Sequence, residues 1–360
     1  MQQNTKFPVY SKIKPSFNQK FYQLLKAFHS NEGKRKKESY FRLEKFSKLL
    51  HPLHFKQSNV DEGVLKKFFK SQLVELEIET HAYCNRTCNF CPNSVVDRLD
   101  KHQVMDVKVF ERMIDELKTM DYSGTIKFHR YNEPMSNDLI FDRIAYARKQ
   151  LPKASLGFNS NGDFLTLEKL ARLEKVGATF LRVSLYINYK NDEKNHKAFA
   201  EEQLERFFKK LGKKPVALPN HGALASARIE SSLDAIVFVA DIVHKGNDRG
   251  GSLKQFSHQV RHSPCVSPFG RLFIDWTGDV LPCCNLRGDI KEHHSSILGN
   301  VKASSLKDIY YSSVSNQMRT WLADVSPKGG VCSTCTYDLM CDNSKAKLLL
   351  DKTLAAIKTE

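Results

Sequence analysis

The chain has 360 residues, 41% of them hydrophobic, which is enough for one large core or for one core plus a smaller domain. Its most apolar stretch, AIVFVADIV at 235–243, is short and contains Asp241, which excludes a membrane span. The net charge of +16 is uneven: residues 1–72 hold sixteen Lys and Arg against five Asp and Glu, a balance of +11, so the other 288 residues supply only +5.

In chain order, residues 1–72 read as a basic helical extension. Phe17, Phe21, Leu24 and Phe28 recur at helical spacing, as do Leu43, Phe46 and Leu50 beyond the charged break EGKRKKE at 32–38. Asp61 is placed to cap a third short helix running to about Leu73. Such an arm suits an acidic partner (RNA, an anionic membrane surface or an acidic peptide), or it is the solvated face of the extension. No nucleic-acid motif accompanies it.

From residue 73 the rhythm changes. LVELEIETH alternates as a strand. Strands are also predicted at 124–131, 154–160, 179–186 and about 224–230, with helices at 106–120, 138–150, 165–177 and about 198–211. Strands alternating with helices predict right-handed βα units, a parallel sheet and an open, partial (β/α) barrel of class α/β. In such folds the chemistry gathers at the strand C-terminal ends. There the sequence places THAYC, YNEP, NSNG and SLY after successive strands. The βα rhythm is lost from about residue 248, where NDRGG reads as a linker, and a terminal helix is predicted at about 344–358. The domains expected are therefore 1–72, a barrel over 73–247, a Cys-rich domain over 248–345 and the closing helix 346–360.

Nine cysteines are an odd count, and no early charged-then-apolar run marks an export signal. The chain is thus expected to be cytoplasmic, with thiols serving as metal ligands rather than disulfides. Cys84, Cys88 and Cys91 form C-x3-C-x2-C on the loop leaving the first strand. Three thiolates that close can wrap one face of an iron–sulfur cluster, leaving one iron open. A zinc site needs a fourth ligand, which His81 could supply. Farther on, Cys265, Gly278 and Cys283 are spaced C-x12-G-x4-C, and Cys332 and Cys335 form C-x2-C. By spacing alone zinc and iron–sulfur compete for these two pairs.

The cysteine loop closely resembles that of the radical S-adenosylmethionine enzymes, with Phe90 at the aromatic position before the third cysteine. The resemblance covers about 73–345 and implies that the iron left open chelates the methionine amino and carboxylate groups. One electron then cleaves the sulfonium to a 5′-deoxyadenosyl radical that abstracts a substrate hydrogen atom. It also implies an electron donor of the flavodoxin or ferredoxin type. Asn132, Glu133 and Pro134 stand where the family has Gly-Gly-Glu-Pro, with Tyr131 and Asn132 replacing the glycines. Asn159 and Asn161 in NSNG resemble the motif near the ribose, and Ser184 matches a serine that contacts the methionine carboxylate. Tyr186 stands where many relatives carry Asp.

The C-terminal layout resembles the Twitch and SPASM extensions, which implies one auxiliary 4Fe–4S cluster held by Cys265, Cys283, Cys332 and Cys335. Cys341 continues the SPASM spacing, but position 345 is Lys and no cysteine follows, so ligands for a second auxiliary cluster are lacking. Cys284 reads as a packed hairpin residue. Cys341 is a relic ligand, a packed thiol or a catalytic hydrogen-atom donor. Relatives with such domains modify ribosomal peptides or oxidise and epimerise aminosugar-like metabolites. Peptide modification is placed slightly ahead, and an RNA-modifying enzyme or a zinc-binding adaptor is more remote.

Overall fold

The computed structural model describes residues 41–42, 46–47, 50–55, 60–186, 196–218, 223–240, 246–257, 259–337, 340–341 and 344–359. The helices expected at 17–28 and 43–50 lie wholly or largely outside these residues. Within them, Asp61 caps the helix Glu62–Gln72, its carboxylate accepting from the Val64 amide at 3.1 Å. That helix buries Phe68 and Phe69. Phe69 packs 5.2 Å from the ring of Tyr310, and the His54 ring lies 5.1 Å from Phe269, so the described part of the extension rests on C-terminal elements.

Two short strands, β1 (Phe41–Arg42) and β12 (Met340–Cys341), pair with each other. All other strands among the described residues form one ten-stranded sheet. Its parallel heart comprises β2 (Glu75–Ile78), β3 (Thr125–Lys127), β4 (Ser155–Ser160) and β5 (Phe180–Tyr186), adjacent in that order. The connecting helices Val107–Thr119, Leu139–Gln150 and Leu167–Lys175 cover one face, two of them started by Asp106 and Thr166 caps. Strand periodicity then divides the side chains. Ile126, Leu156, Phe158, Leu181 and Val183 point into the helix layer and are fully buried, each contributing about 1.5–3 kcal/mol. Lys127, Asn159, Arg182, Ser184 and Tyr186 line a cavity on the inner face. Gly157 lets β4 and β5 approach, since a Cβ there would meet the Phe180 carbonyl oxygen at 2.1 Å.

Two features differ from the sequence expectation. The strand at 224–230 is antiparallel: β6 (Pro215–Ala217), β7 (Ala225–Ile229) and β8 (Asp234–Ala240) form a meander, and β8, from the apolar stretch at 235–243, is the one parallel to β5. The link from Glu230 to Leu233 is too short for a parallel crossover, which forces β7 and β8 to be antiparallel. The sheet also continues past residue 248. β9 (Arg271–Ile274) pairs in parallel with β2, and β10 (Asp279–Leu281) and β11 (Gly299–Asn300) extend that edge antiparallel. Six parallel strands result, β9-β2-β3-β4-β5-β8, in an open sheet. β9 is buried on both sides and so lacks the alternation that marks a half-buried strand.

Candidate functional site

The strand ends and the inner sheet face enclose a cavity of about 1060 Å³. Cys84, Cys88, Cys91 and Phe90 reach it from the loop after β2, Asn132 and Glu133 from the loop after β3, Asn159 and Asn161 from the end of β4, and Ser184 from β5. Pro134 opens the turn Pro134–Ser136 and is buried outside the cavity wall.

The cysteine loop is tied down at several points. The Cys91 amide donates to the Cys88 carbonyl at 2.9 Å, closing a tight turn. Asn85 donates to Asp163 at 2.8 Å and accepts from Asn161 at 2.8 Å, and Arg86 pairs with Asp163 through two donors. Asn93 donates to the Tyr131 carbonyl at 2.9 Å. Burial first, then the negative charges of Glu133, Cys91 and Cys88, push the Cys84 thiol up to about 12. Burial and then Cys91 also raise Cys88, against the opposing Arg86 guanidinium. Three cysteines on one short loop facing one cavity, two of them, Cys84 and Cys88, raised by burial and by neighbouring negative charge, fit a polynuclear cationic centre, which binds them as thiolates. His81 does not complete a zinc site. Its Nε2 lies 3.2 Å from the Glu133 carbonyl and 3.2 Å from Ser136 Oγ, and its Nδ1 lies 3.4 Å from Asn132 Nδ2.

Glu133 is the hub of the second motif. Its Oε1 accepts from Ser160 Oγ at 2.7 Å and from the Met135 amide at 3.0 Å, and its Oε2 from the Asn161 amide at 2.7 Å. The Glu133 amide donates to the Tyr83 carbonyl at 2.9 Å. The carboxylate therefore joins NEP to NSNG while its backbone joins NEP to the cysteine loop. Gly162 closes NSNG at φ +79°, where a Cβ would also meet Val183 at 2.7 Å, so the glycine is required. On β5, Tyr186 hydrogen-bonds Ser184 and sets its ring 4.6 Å from that of Phe90; burial pushes its hydroxyl up to about 12.

The C-terminal cysteines form a separate site. Cys265, Cys283, Cys332 and Cys335 line one small pocket. Cys283 is raised well above its ordinary value, by burial first and then by Cys284, Cys332, Cys335 and Cys265. Four donors converge on the Cys335 sulfur: Arg261, Asn247 and Asn285 side chains, each at 3.8 Å, and the Tyr337 amide at 3.4 Å. That surround suits a thiolate, since a neutral thiol is a weak acceptor, and the all-sulfur donor set suits iron–sulfur ligation. Cys284, adjacent to Cys283, faces the main cavity instead. Cys341 is placed by its backbone in β12, and its side chain lies outside the described residues.

Four residues of this architecture were not singled out by sequence. Arg249, inside the stretch read as a linker, lines the cavity with φ +50°. Arg130 and His129 follow β3 into the same wall. His129 accepts from the Asn159 amide on Nδ1 at 3.1 Å, and burial lowers it to about 3, so it is neutral with its proton on Nε2. Asp289 pairs with Arg98 and Arg287, and Arg98 reaches Glu79, bridging the loop after β10 to the strand that bears the cysteine loop. No local sequence signal marks any of the four.

Residues 78–214 match the model of the Radical SAM superfamily, and residues 265–336 match that of SPASM, an iron–sulfur cluster-binding domain. A curated protein of Niallia circulans, S-adenosyl-L-methionine-dependent 2-deoxy-scyllo-inosamine dehydrogenase, is 24% identical over 265 residues, 72% of this chain and 91% of its own length. The crystal structure of BtrN in complex with AdoMet and 2-DOIA aligns at a TM-score of 0.55 and 20% identity over 76% of this chain and 97% of that one. A structure of BtrN in an open conformation aligns at 0.48 and 20% identity, over 73% of this chain and 92% of that one.

Proposed function

This chain is a radical S-adenosylmethionine enzyme with a SPASM-type iron–sulfur domain, and from that premise we propose that it dehydrogenates a secondary alcohol of a small sugar-like or cyclitol-like metabolite. Its cofactors are S-adenosylmethionine and 4Fe–4S clusters, and its chemistry needs an electron donor, for which a flavodoxin or ferredoxin is suited. When bound, the cluster and S-adenosylmethionine supply a one-electron cleavage and a radical able to take a hydrogen atom from carbon. Among the described residues no helix is long and apolar enough to cross a membrane.

Oxidising CH–OH to C=O removes one hydrogen atom, one proton and one further electron. The observation that carries an oxidation is the adjacency of Cys283 and Cys284: one faces the four-cysteine pocket and the other the main cavity. Ligands for an electron-accepting centre thus stand one residue from the substrate wall, which an oxidation needs and a redox-neutral epimerisation does not. Cys84, Cys88 and Cys91 would hold the first cluster, and Cys265, Cys283, Cys332 and Cys335 one auxiliary cluster. Glu133 orders NSNG through its bonds to Ser160 and Asn161, and Phe90, Asn132, Asn159, Asn161 and Ser184 would position the cofactor. His129 offers a neutral Nε2–H donor to a substrate hydroxyl.

The sequence placed peptide modification slightly ahead. The near-complete coverage of the Niallia dehydrogenase and a cavity on the scale of metabolite sites support the small molecule instead. Anaerobic incubation of reconstituted enzyme with S-adenosylmethionine, reductant and 2-deoxy-scyllo-inosamine or related aminosugars tests this reading. The expected result is 5′-deoxyadenosine, deuterium transfer from a C-deuterated substrate and a ketone two mass units lighter. Substrate-dependent 5′-deoxyadenosine seen only with peptides would overturn it.

A further inference from the structure

Among the described residues seven Lys and Arg side chains line the main cavity, and five of them hold a carboxylate. Arg86 pairs with Asp163, Lys127 with Glu75 at 2.8 Å, and Arg271 with Glu75 at 3.7 Å, while Arg182 and Arg228 share Asp234. Arg130 and Arg249 remain. Neither has a carboxylate within ion-pair distance among the described residues; Glu77 and Asp275 feel the Arg130 charge only from farther away. Both guanidinium groups reach the same loop: Arg130 donates to the Leu286 carbonyl and Arg249 to the Asn285 side chain at 3.0 Å. Beyond those bonds, Nε and one Nη of Arg130 and Nε of Arg249 find no hydrogen-bond partner among the described residues. Covered guanidinium donors without partners cost free energy, and planar forked donors of this kind match carboxylate and phosphate oxygens.

The backbone is bent to present Arg249. It stands at φ +50°, a costly conformation for a residue with a Cβ. The bend is held by the Arg249 amide donating to Asn247 Oδ1 at 2.9 Å and by the Leu253 amide donating to the Asp248 carbonyl at 2.9 Å. It lines the same cavity as the cysteine loop, Tyr131 and Tyr186, and both tyrosines feel its charge.

We propose that Arg130 and Arg249 form an oxyanion subsite that binds a phosphate or carboxylate carried by the substrate, so that the metabolite oxidised here is acidic. This rests on the small-molecule reading above. The carboxylate of S-adenosylmethionine has the same chemistry, and the test separates the two sources.

The test titrates inorganic phosphate into anaerobic, cluster-replete full-length enzyme saturated with S-adenosylmethionine and follows binding by calorimetry. Arg249→Gln and Arg130→Gln are compared with Arg249→Lys, which keeps the charge, and with Arg172→Gln, an outer-face arginine paired with Asp138. Iron content and S-adenosylmethionine affinity, measured on each variant, report folding and cofactor binding. The expected result is phosphate binding by wild type and Arg172→Gln, a weakening of tenfold or more in both glutamine variants and a smaller loss in Arg249→Lys, with S-adenosylmethionine affinity unchanged. Phosphate that fails to bind wild type, or binds the glutamine variants equally well, overturns the subsite. So does a tenfold loss of S-adenosylmethionine affinity in the glutamine variants, which would assign the pair to the cofactor. Phosphate binding as expected, with no sugar oxidised, neutral or acidic, would support the subsite and sink the dehydrogenase reading.

Discussion

Arg249 donates to the side-chain oxygen of Asn285 at 3.0 Å, and the amide of the same asparagine donates to the sulfur of Cys335 at 3.8 Å. A single side chain thus joins the wall of the main cavity to a cysteine of the second site. The orientation of Asn285 is fixed at both ends, since its oxygen can only accept from the guanidinium and its nitrogen can only donate to sulfur.

Hydrogen bonds to a cluster's sulfur ligands stabilise the more negative, reduced state and raise the reduction potential. Asn285→Ala removes one of four donors to Cys335. About 1 kcal/mol of differential stabilisation corresponds to about 40 mV for one electron. The auxiliary potential is expected to fall by that amount in a redox titration followed by electron paramagnetic resonance. Arg261→Gln should lower it further, because a full charge is lost. An unchanged potential in both would mean that Cys335 is not a ligand.

Cys88→Ala leaves the four C-terminal cysteines intact. Iron should fall from about eight to about four per chain, cleavage of S-adenosylmethionine should cease, and the remaining iron should keep its spectrum. Cleavage that survives would show that the loop at 84–91 has been misread.

Replacing Glu133 by Gln puts an amide NH₂ against one of the backbone or hydroxyl donors that its two oxygens now satisfy. The cost expected is about 1–3 kcal/mol of stability, measured by chemical denaturation, together with weaker binding of S-adenosylmethionine. Gln in place of Glu with both quantities unchanged would remove the hub role.

The Arg287 and Arg98 guanidinium groups outweigh burial and hold the Asp289 carboxyl well below the usual carboxylate range. A folded-state value depressed in this way contributes stability that is present above the unfolded value near 4 and is lost as pH falls below it. Asp289→Asn should therefore destabilise the protein at pH 7 by about 3–5 kcal/mol, because it leaves Arg98 and Arg287 buried with less compensation. The gap between wild type and variant should narrow on acidification below about pH 4 in denaturant titrations. A gap independent of pH would contradict the pairing.

Much of the barrel was legible because its signals are local. The alternation in FLRVSLY reports a strand with one face on helices and one on a cavity, and C-x3-C-x2-C is compact enough to read directly. The four residues Cys265, Cys283, Cys332 and Cys335 were also legible, and they line one pocket. What escaped depends on partners remote in sequence. The hairpin GRLFIDWTGDVLPC at 270–283 was legible, but the parallel pairing of its first strand, β9, with β2 was not, because the two lie nearly 200 residues apart, and β8 escaped because its partner β5 lies beyond a long crossover. Arg249 was hidden because nothing in NDRGG tells a linker from a loop folded inward. Glu133 was legible as a motif residue, but its bonds to Ser160 and Asn161 were not, since they exist only once β3 and β4 are neighbours.

The pairing of β9 with β2 also bears on how the enzyme is made. β2 carries the first cysteine loop, yet one of its two hydrogen-bonding edges is filled by a strand that begins nearly 200 residues later. While the chain is still on the ribosome, that edge stays open until Arg271–Ile274 has emerged, and open edges invite wrong pairings. The loop at 84–91 is therefore fully supported only after the segment bearing Cys265 exists, so insertion of the first cluster should follow synthesis of the second site's opening strand.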